Sequence, residues 1–460
     1  MDKLLTLFFM LLYLGSVCLL FTRRPQFIVY VTVIFITVND LVFVNLNDTL
    51  GSSLMVAKAW KEVFICGLLL QAMMNTRGRN PFSMSSRAAR ITIAIGVLSA
   101  IGIAVGISRG GIVESIQQWR RYFVPILLAT LLASPRLAQR VDIRTLTRVL
   151  LSIACVMAVY AIYEYLTFDG DFTRLWYYSF VAQAKEGIDT DAHLLQYQFM
   201  RGDQLRASGF FISAIEYSLF NALALTISII SLVRQRRFSA KVIFSAITLL
   251  LAAGEVVANV RIGWVACLLA LFSAAQLHFF KTRSLPRLAL APILILLASF
   301  TLIIFNKGDL DASSVGRLAQ YASVPSTFQI QGYGLGAIEN NGATYKDSWY
   351  ISVLMVFGVA AVGYLWLMFA PLSEALRNLS LNAGDTRHEA RVKYTFYLGT
   401  IGFFLAQFYV FGFHYSTGLS HLYLLQIFMF TVATNLRSPR STTVSIAPDT
   451  PRVAGELACP

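Results

Sequence analysis

The chain has 460 residues, 57% of them hydrophobic and only 13% charged, with a formal net charge of +14. A soluble fold is nearer half apolar and about a quarter charged, so this composition excludes a soluble globular protein and predicts an all-α, polytopic membrane protein. In that class a positive balance reports which loops stay in the cytoplasm, and it calls for no nucleic-acid partner.

Apolar runs long enough to cross a bilayer as helix recur at 4–21, 27–46, 54–74, 91–107, 113–133, 147–167, 209–232, 241–258, 262–280, 288–306, 349–370, 395–411 and 419–435. They predict about 12 or 13 transmembrane helices in a single membrane domain over 1–436. The first run is followed by Arg23 and Arg24 rather than a small-residue cleavage site, which reads as an uncleaved span. Basic residues fill every second loop, including Arg77 to Arg90, Arg136 to Arg144, Arg234 to Lys241 and Lys281 to Arg287. These loops are expected to face the cytoplasm. Two long loops, 168–207 and 307–348, then face outward. The first is acidic and carries Trp176, Tyr177, Tyr178 and Phe180 as a candidate lid on the membrane surface. The second is expected to hold a short interfacial helix around Val315 to Ser323. Residues 437–460, rich in Pro, Ser and Thr, read as a disordered cytoplasmic tail.

Within that topology the informative residues are cations on the outer side, where basic residues are scarce. Arg109, Arg120, Arg121, Arg206, Arg261, Arg317 and Lys346 all fall at outer span ends or in outer loops. They need anionic partners, and arginine's planar fork suits a diphosphate. The competing reading pairs each of them with lipid phosphate or a nearby carboxylate such as Glu114, Glu164, Glu216 or Glu255. Lys58 and Glu62, spaced i and i+4, read as a structural pair. The D-x-D spacings at Asp169/Asp171, Asp189/Asp191 and Asp309/Asp311 are better explained by acidic loop composition than by a metal site. His414 and His421 border the last outer turn and read as interhelical histidines before bases. The cysteines have neither disulfide nor metal-ligand spacing, and no metal or cofactor is expected.

Three stretches resemble the superfamily of bacterial O-antigen polymerases and O-antigen ligases, integral-membrane glycosyltransferases of the inner membrane. They are Arg206-Ala-Ser-Gly209-Phe, Asn259-Val-Arg261-Ile-Gly263-Trp264, and a third set. That set joins Ser313 to Arg317, through Gly332-Tyr-Gly334-Leu-Gly336, to Asp347-Ser-Trp-Tyr350 with Gly358 and Gly363. The resemblance implies a metal-independent enzyme that takes an oligosaccharide from undecaprenyl diphosphate and joins it to a sugar hydroxyl on the periplasmic side. At the matching positions Arg206, Arg261 and Arg317 would bind the diphosphate. The ligases carry a histidine where this chain has Asp347, so the resemblance is closer to the O-antigen or exopolysaccharide polymerases.

The chemistry expected is displacement at an anomeric carbon, with cations taking up charge on the leaving diphosphate and a base removing the acceptor proton. Asp347 is the expected base and Glu216 the reserve, while Arg120, Arg121 and Lys346 join the diphosphate-binding set. A carboxylate capping the following span is the competing role for Asp347. A single displacement inverts the linkage. A flippase and a chain-length regulator are the expected protein partners. The rival readings are a ligase that transfers glycan to a lipid core, and a transporter or flippase for a lipid-linked sugar. A transporter is expected to show repeated halves and spans broken by glycine or proline.

Overall fold

An isolated apolar segment in hydrocarbon must satisfy its own backbone, so the runs above become helices. The computed structural model describes residues 15, 26–50, 59–74, 86–138, 140–179, 199–201, 203–282, 284–305, 312–336, 348–379, 388–414 and 420–437. Its helices are α1 (Phe27–Leu50), α2 (Trp60–Met74), α3 (Ser86–Gly110), α4 (Ile112–Leu132), α5 (Ile143–Thr167), α6 (Ala214–Arg234), α7 (Phe238–Ala258) and α8 (Arg261–Phe279). They continue with α9 (Leu285–Phe305), α10 (Ala312–Thr327), α11 (Trp349–Phe357), α12 (Ala361–Asn378), α13 (His388–Phe413) and α14 (Ser420–Arg437). Among the described residues nine stretches are long and apolar enough to cross a membrane, α11 and α12 counting as one. The expected spans 54–74, 113–133 and 419–435 are also helical, as α2, α4 and α14, but are shorter or more polar. The expected first span and the tail lie outside the described residues.

The bundle is centred on α13, whose apolar stretch is 94% buried, and on α6, at 78%. Glycines set how closely α13 approaches its neighbours: a Cβ at Gly402 would overlap the carbonyl oxygen of Ala270 on α8, and one at Gly399 would crowd Ile227 on α6. By contrast α7 and α9 bury only 17% of their apolar stretches and form the periphery. Helix α5 starts on Asp142, whose carboxylate accepts from the amides of Arg144 (3.1 Å) and Thr145 (3.2 Å) and the Thr145 hydroxyl (2.7 Å). Burial alone would raise this acid's pKa, but these hydrogen bonds outweigh it and hold the carboxyl below the usual range. The cap's contribution is therefore present above about pH 4 and lost as pH falls through the lower folded-state value. Asp142→Ala is expected to cost about 1 kcal/mol at pH 7 and little under strongly acidic conditions. Thermal unfolding in detergent at both pH values checks this.

The largest departure from a plain bundle is the segment 328–336. It leaves the end of α10, turns where Gly332 N donates to Gln329 O (2.9 Å), and continues as irregular chain, with Gly332, Gly334 and Gly336 all at positive φ, into the space between α3, α4 and α11. The chain of the apolar stretch Trp349–Asn378 breaks at Gly358, whose φ is 53°. The break frees carbonyls that accept from the segment: Tyr333 N to Met355 O is 2.8 Å and Gly334 N to Val356 O is 3.0 Å. On the other side Leu335 N donates to Gly102 O at 2.9 Å, the Ser115 hydroxyl donates to Leu335 O at 2.7 Å, and Gly336 N donates to Gln118 Oε1 at 2.8 Å. Gly102 stands eight residues from the end of α3, so the segment enters the bundle by about 12 Å at the helical rise. Non-helical backbone at such depth survives only where protein satisfies it. The sequence places Gly332 to Gly336 in a long loop outside the bundle and 349–370 in a continuous span; a re-entrant strap and a broken helix replace both.

Candidate functional site

Span 7 was expected from residue 209, but α6 begins at Ala214. The difference has a cause: the buried Glu164 at the end of α5 accepts from Ser208 N at 2.9 Å and from the amide of Gly209. With Gly209 at φ 59° this holds 206–213 as a turn instead of a first helical turn. Just before it, β1 (Met200–Arg201) and β2 (Gln204–Leu205) form an antiparallel hairpin. Leu175, Tyr177, Phe199 and Leu205 make a small core beneath the hairpin, and Trp176 Nε1 donates to Gly209 O at 3.2 Å. These aromatics brace the turn, with Tyr177 buried, where a surface lid was expected. Phe180 lies outside the described residues.

The hairpin and turn dock on the connection between α7 and α8. Ala207 N donates to Val257 O at 3.1 Å, Arg201 Nη1 to Asn259 O at 3.4 Å, and Asn259 Nδ2 to Gln204 Oε1 at 3.4 Å. Asn259 takes the left-handed conformation, φ 50°, and this sharp reversal presents Arg261 as the first, exposed residue of α8. Gly263 follows because a Cβ there would overlap the Ser218 hydroxyl and the Glu255 carboxylate. Glu255 is fully buried and accepts from the Ser218 hydroxyl and from Asn221 Nδ2 at 2.9 Å. Arg201, Arg206 and Arg261 therefore stand on segments tied together by hydrogen bonds at one end of the bundle.

A second polar group fills the interior at the same end of α6. Glu216, 4% exposed, accepts from the backbone amide of Ser420 at the start of α14. Lys61 lies within electrostatic reach of Asp40, Glu62, Glu216 and Arg120, and its ammonium sits 4.2 Å from the centre of the Tyr423 ring. Arg120 Nε meets Glu62 Oε1 at 2.5 Å. Asp40 accepts from Asn39 Nδ2 (3.0 Å) and from Ile212 N (3.3 Å), while Trp60 Nε1 reaches Asn39 Oδ1 at 2.9 Å. Four helices thus contribute three carboxylates and two cations, so removing either cation adds to an existing excess of negative charge. His421 is 1% exposed, and neither ring nitrogen has a hydrogen-bond partner among the described residues.

No protein-family model and no curated protein matches this chain. The arrangement itself must carry any functional reading. Arg261 is exposed as expected, and Arg206 is half-buried in the turn. Arg120 pairs with Glu62, and Arg109 is bound by the strap through Gln329 Oε1 (2.5 Å), Gly332 O (3.4 Å) and the Tyr333 ring. Arg121 is exposed on α4. Arg317 lies on α10, longer than the expected helix, but its side chain is not among those described. Asp347, Lys346 and Lys58 lie outside the described residues. Ser348, next to Asp347, is buried where its hydroxyl meets the Tyr321 hydroxyl (2.7 Å) and Phe411 O (3.1 Å). The carboxylates Glu164, Glu216 and Glu255, which the competing reading offered as partners for the arginines, take amide and hydroxyl hydrogens. Asp169 and Asp171 pair with Arg174. Among the described residues no group of three or more metal-ligating side chains gathers.

Two participants escaped the sequence reading. Arg201 stands five residues before Arg206 in the same long loop, and its position beside Arg206 was a usable signal. The joining of Asp40 to Lys61 and Glu216 across three helices left no trace in local spacing.

Proposed function

We propose that this chain is a membrane glycosyltransferase that polymerises oligosaccharide repeat units carried on undecaprenyl diphosphate at the outer face of the bacterial inner membrane. The observation that carries the reading is the convergence of Arg201, Arg206 and Arg261 on hydrogen-bonded segments, with Arg261 exposed. Guanidinium groups so placed can grip both phosphates and take up charge as the bond to the anomeric carbon breaks. The attacking acceptor hydroxyl loses its proton to a carboxylate, for which Asp347 remains the first assignment and Glu216 the second. Undecaprenyl diphosphate leaves with the electron pair of the broken bond, and the new linkage has inverted configuration.

The broken helix at Gly358 is the feature a transporter reading would claim. Its freed carbonyls at Met355 and Val356 are already taken by Tyr333 and Gly334, which argues against an open substrate site there.

The test is reconstitution of the purified protein in liposomes with a lipid-diphosphate oligosaccharide repeat. A ladder of repeat multiples with release of undecaprenyl diphosphate is expected. Arg261→Ala should lower the rate by about 100-fold or more, the scale of removing one preorganised charge-stabilising donor, while leaving the melting temperature unchanged because Arg261 is exposed. Unchanged donor with the wild type would sink the proposal. Product formed only with an added lipid-core acceptor would make the protein a ligase, and donor crossing the bilayer intact would make it a transporter.

A further inference from the structure

At the end of α6 remote from Glu216, cations gather around one tyrosine ring. Arg234 Nη1 lies 3.4 Å from His278 Nδ1, at the end of α8, and its guanidinium sits 4.8 Å from the ring centre of Tyr394 on α13. The His278 ring also packs edge-on against Tyr394, with centroids 5.9 Å apart. Arg391, one helical turn before Tyr394, acts on Arg234 as a like charge. The Nε atoms of Arg234 and Arg391 are buried and have no hydrogen-bond partner among the described residues. Two guanidinium groups held together in a partly desolvated place repel each other, and an anion between them removes that cost.

The surroundings identify the kind of anion. Val233, Phe238, Phe279 and Phe280 flank the cluster in the chain and are 75%, 82%, 72% and 77% exposed. Arg236, Arg237, Lys241 and Lys281 add exposed positive charge on the same connections. A free phosphate would use the arginines alone. A molecule with a phosphate head and acyl chains uses the arginines and the apolar rim together. Basic pockets between helix ends at the cytoplasmic surface are suited to such headgroups.

We propose that Arg234, His278 and Arg391, arranged around Tyr394, form a binding site for the phosphate headgroup of an anionic phospholipid. The guanidinium forks hold the phosphate oxygens, and Val233, Phe238, Phe279 and Phe280 lie along the acyl chains.

The test uses the full chain, purified in neutral detergent and stripped of lipid. Melting temperature is followed on titration with phosphatidylglycerol, phosphatidylcholine or inorganic phosphate. Phosphatidylglycerol should raise it in a saturable way, and the other two should not. Arg234→Gln with Arg391→Gln should weaken the apparent phosphatidylglycerol affinity by at least about five-fold, the effect of one lost basic contact at an anionic surface. Should that variant fail to fold, Arg391→Gln alone, with native mass spectrometry of retained lipid, gives the same reading. An equal response to phosphatidylcholine, an equal shift with inorganic phosphate, or an undiminished phosphatidylglycerol response in the folded variant would each overturn the proposal.

Discussion

Replacing Gly106 by alanine should abolish recovery of folded protein. A Cβ at this position of α3 would overlap the carbonyl oxygen of Leu335 and crowd its amide nitrogen, and both belong to backbone that cannot swing aside. The opposing residue, Gly334, is equally constrained: its φ is 83°, and a Cβ there would overlap Gly106 N. Relief requires lifting the strap, which breaks the bonds from Leu335 N to Gly102 O and from Tyr333 and Gly334 N to the broken helix. Each polar group stranded at that depth costs several kcal/mol, so roughly three such groups together cost an amount comparable with the 5–15 kcal/mol that holds a typical fold together. Fluorescence-detected size-exclusion of detergent extracts would show aggregate in place of the monodisperse peak. Gly96→Ala, on the same helix with open space around it, is the matched control and should behave as wild type. A monodisperse Gly106→Ala protein melting like wild type would show that the strap is not packed as described.

Lys61→Met should be nearly as damaging, for an electrostatic reason. The substitution keeps most of the side-chain volume but leaves Asp40, Glu62 and Glu216 with Arg120 as the one remaining cation of the cluster among the described residues. Breaking a buried charge group by deleting one partner costs about 3–5 kcal/mol, and the low end applies because Lys61 is only partly buried by surface area. The companion variant Lys61→Met with Glu216→Gln removes one charge of each sign and should recover most of the loss. Stability measured by thermal or denaturant unfolding in one detergent forms the cycle. If the double variant is no better than Lys61→Met, the two residues do not share a charge-balanced site. The recovered variant would also show whether Glu216 has a part in the reaction, since its fold would be intact and its carboxylate gone.

How far these features could be read from sequence depends on the range of the interaction that creates them. A helix needs only its own apolar run, so α1, α3 and α5 to α9 stand close to where hydropathy puts them. Helix α10 was also visible, although it runs from Ala312 to Thr327, beyond the expected bounds, because Tyr321 anchors it to Ser348 and to Gly412 O. The break at Gly358 was hidden because one glycine in an apolar run ordinarily stays helical; it opens here because amides about 20 residues earlier in the chain take the freed carbonyls. Arg109 read as a spare cation because its partner Gln329 is 220 residues away. Likewise the i, i+4 spacing matched Glu62 to Lys58, which lies outside the described residues, and gave no hint that its carboxylate meets Arg120 on another helix. The exposed position of Arg261 at a helix start was legible because the apolar run that follows it begins at the next residue.

The strap also imposes an order on biogenesis. Its hydrogen bonds join Leu335 to Ser115 across 220 residues, so α3 and α4 must enter the membrane long before the peptide that fills the groove between them exists. At ordinary translation rates of about 5–20 residues per second the interval is roughly 10–40 s. During it the backbone-wide notch at Gly102 and Gly106 stands open to lipid or to the insertion machinery. The early spans therefore form a provisional assembly that the later half completes, and a chain arrested before Gly336 would present that notch as a handle for membrane quality control.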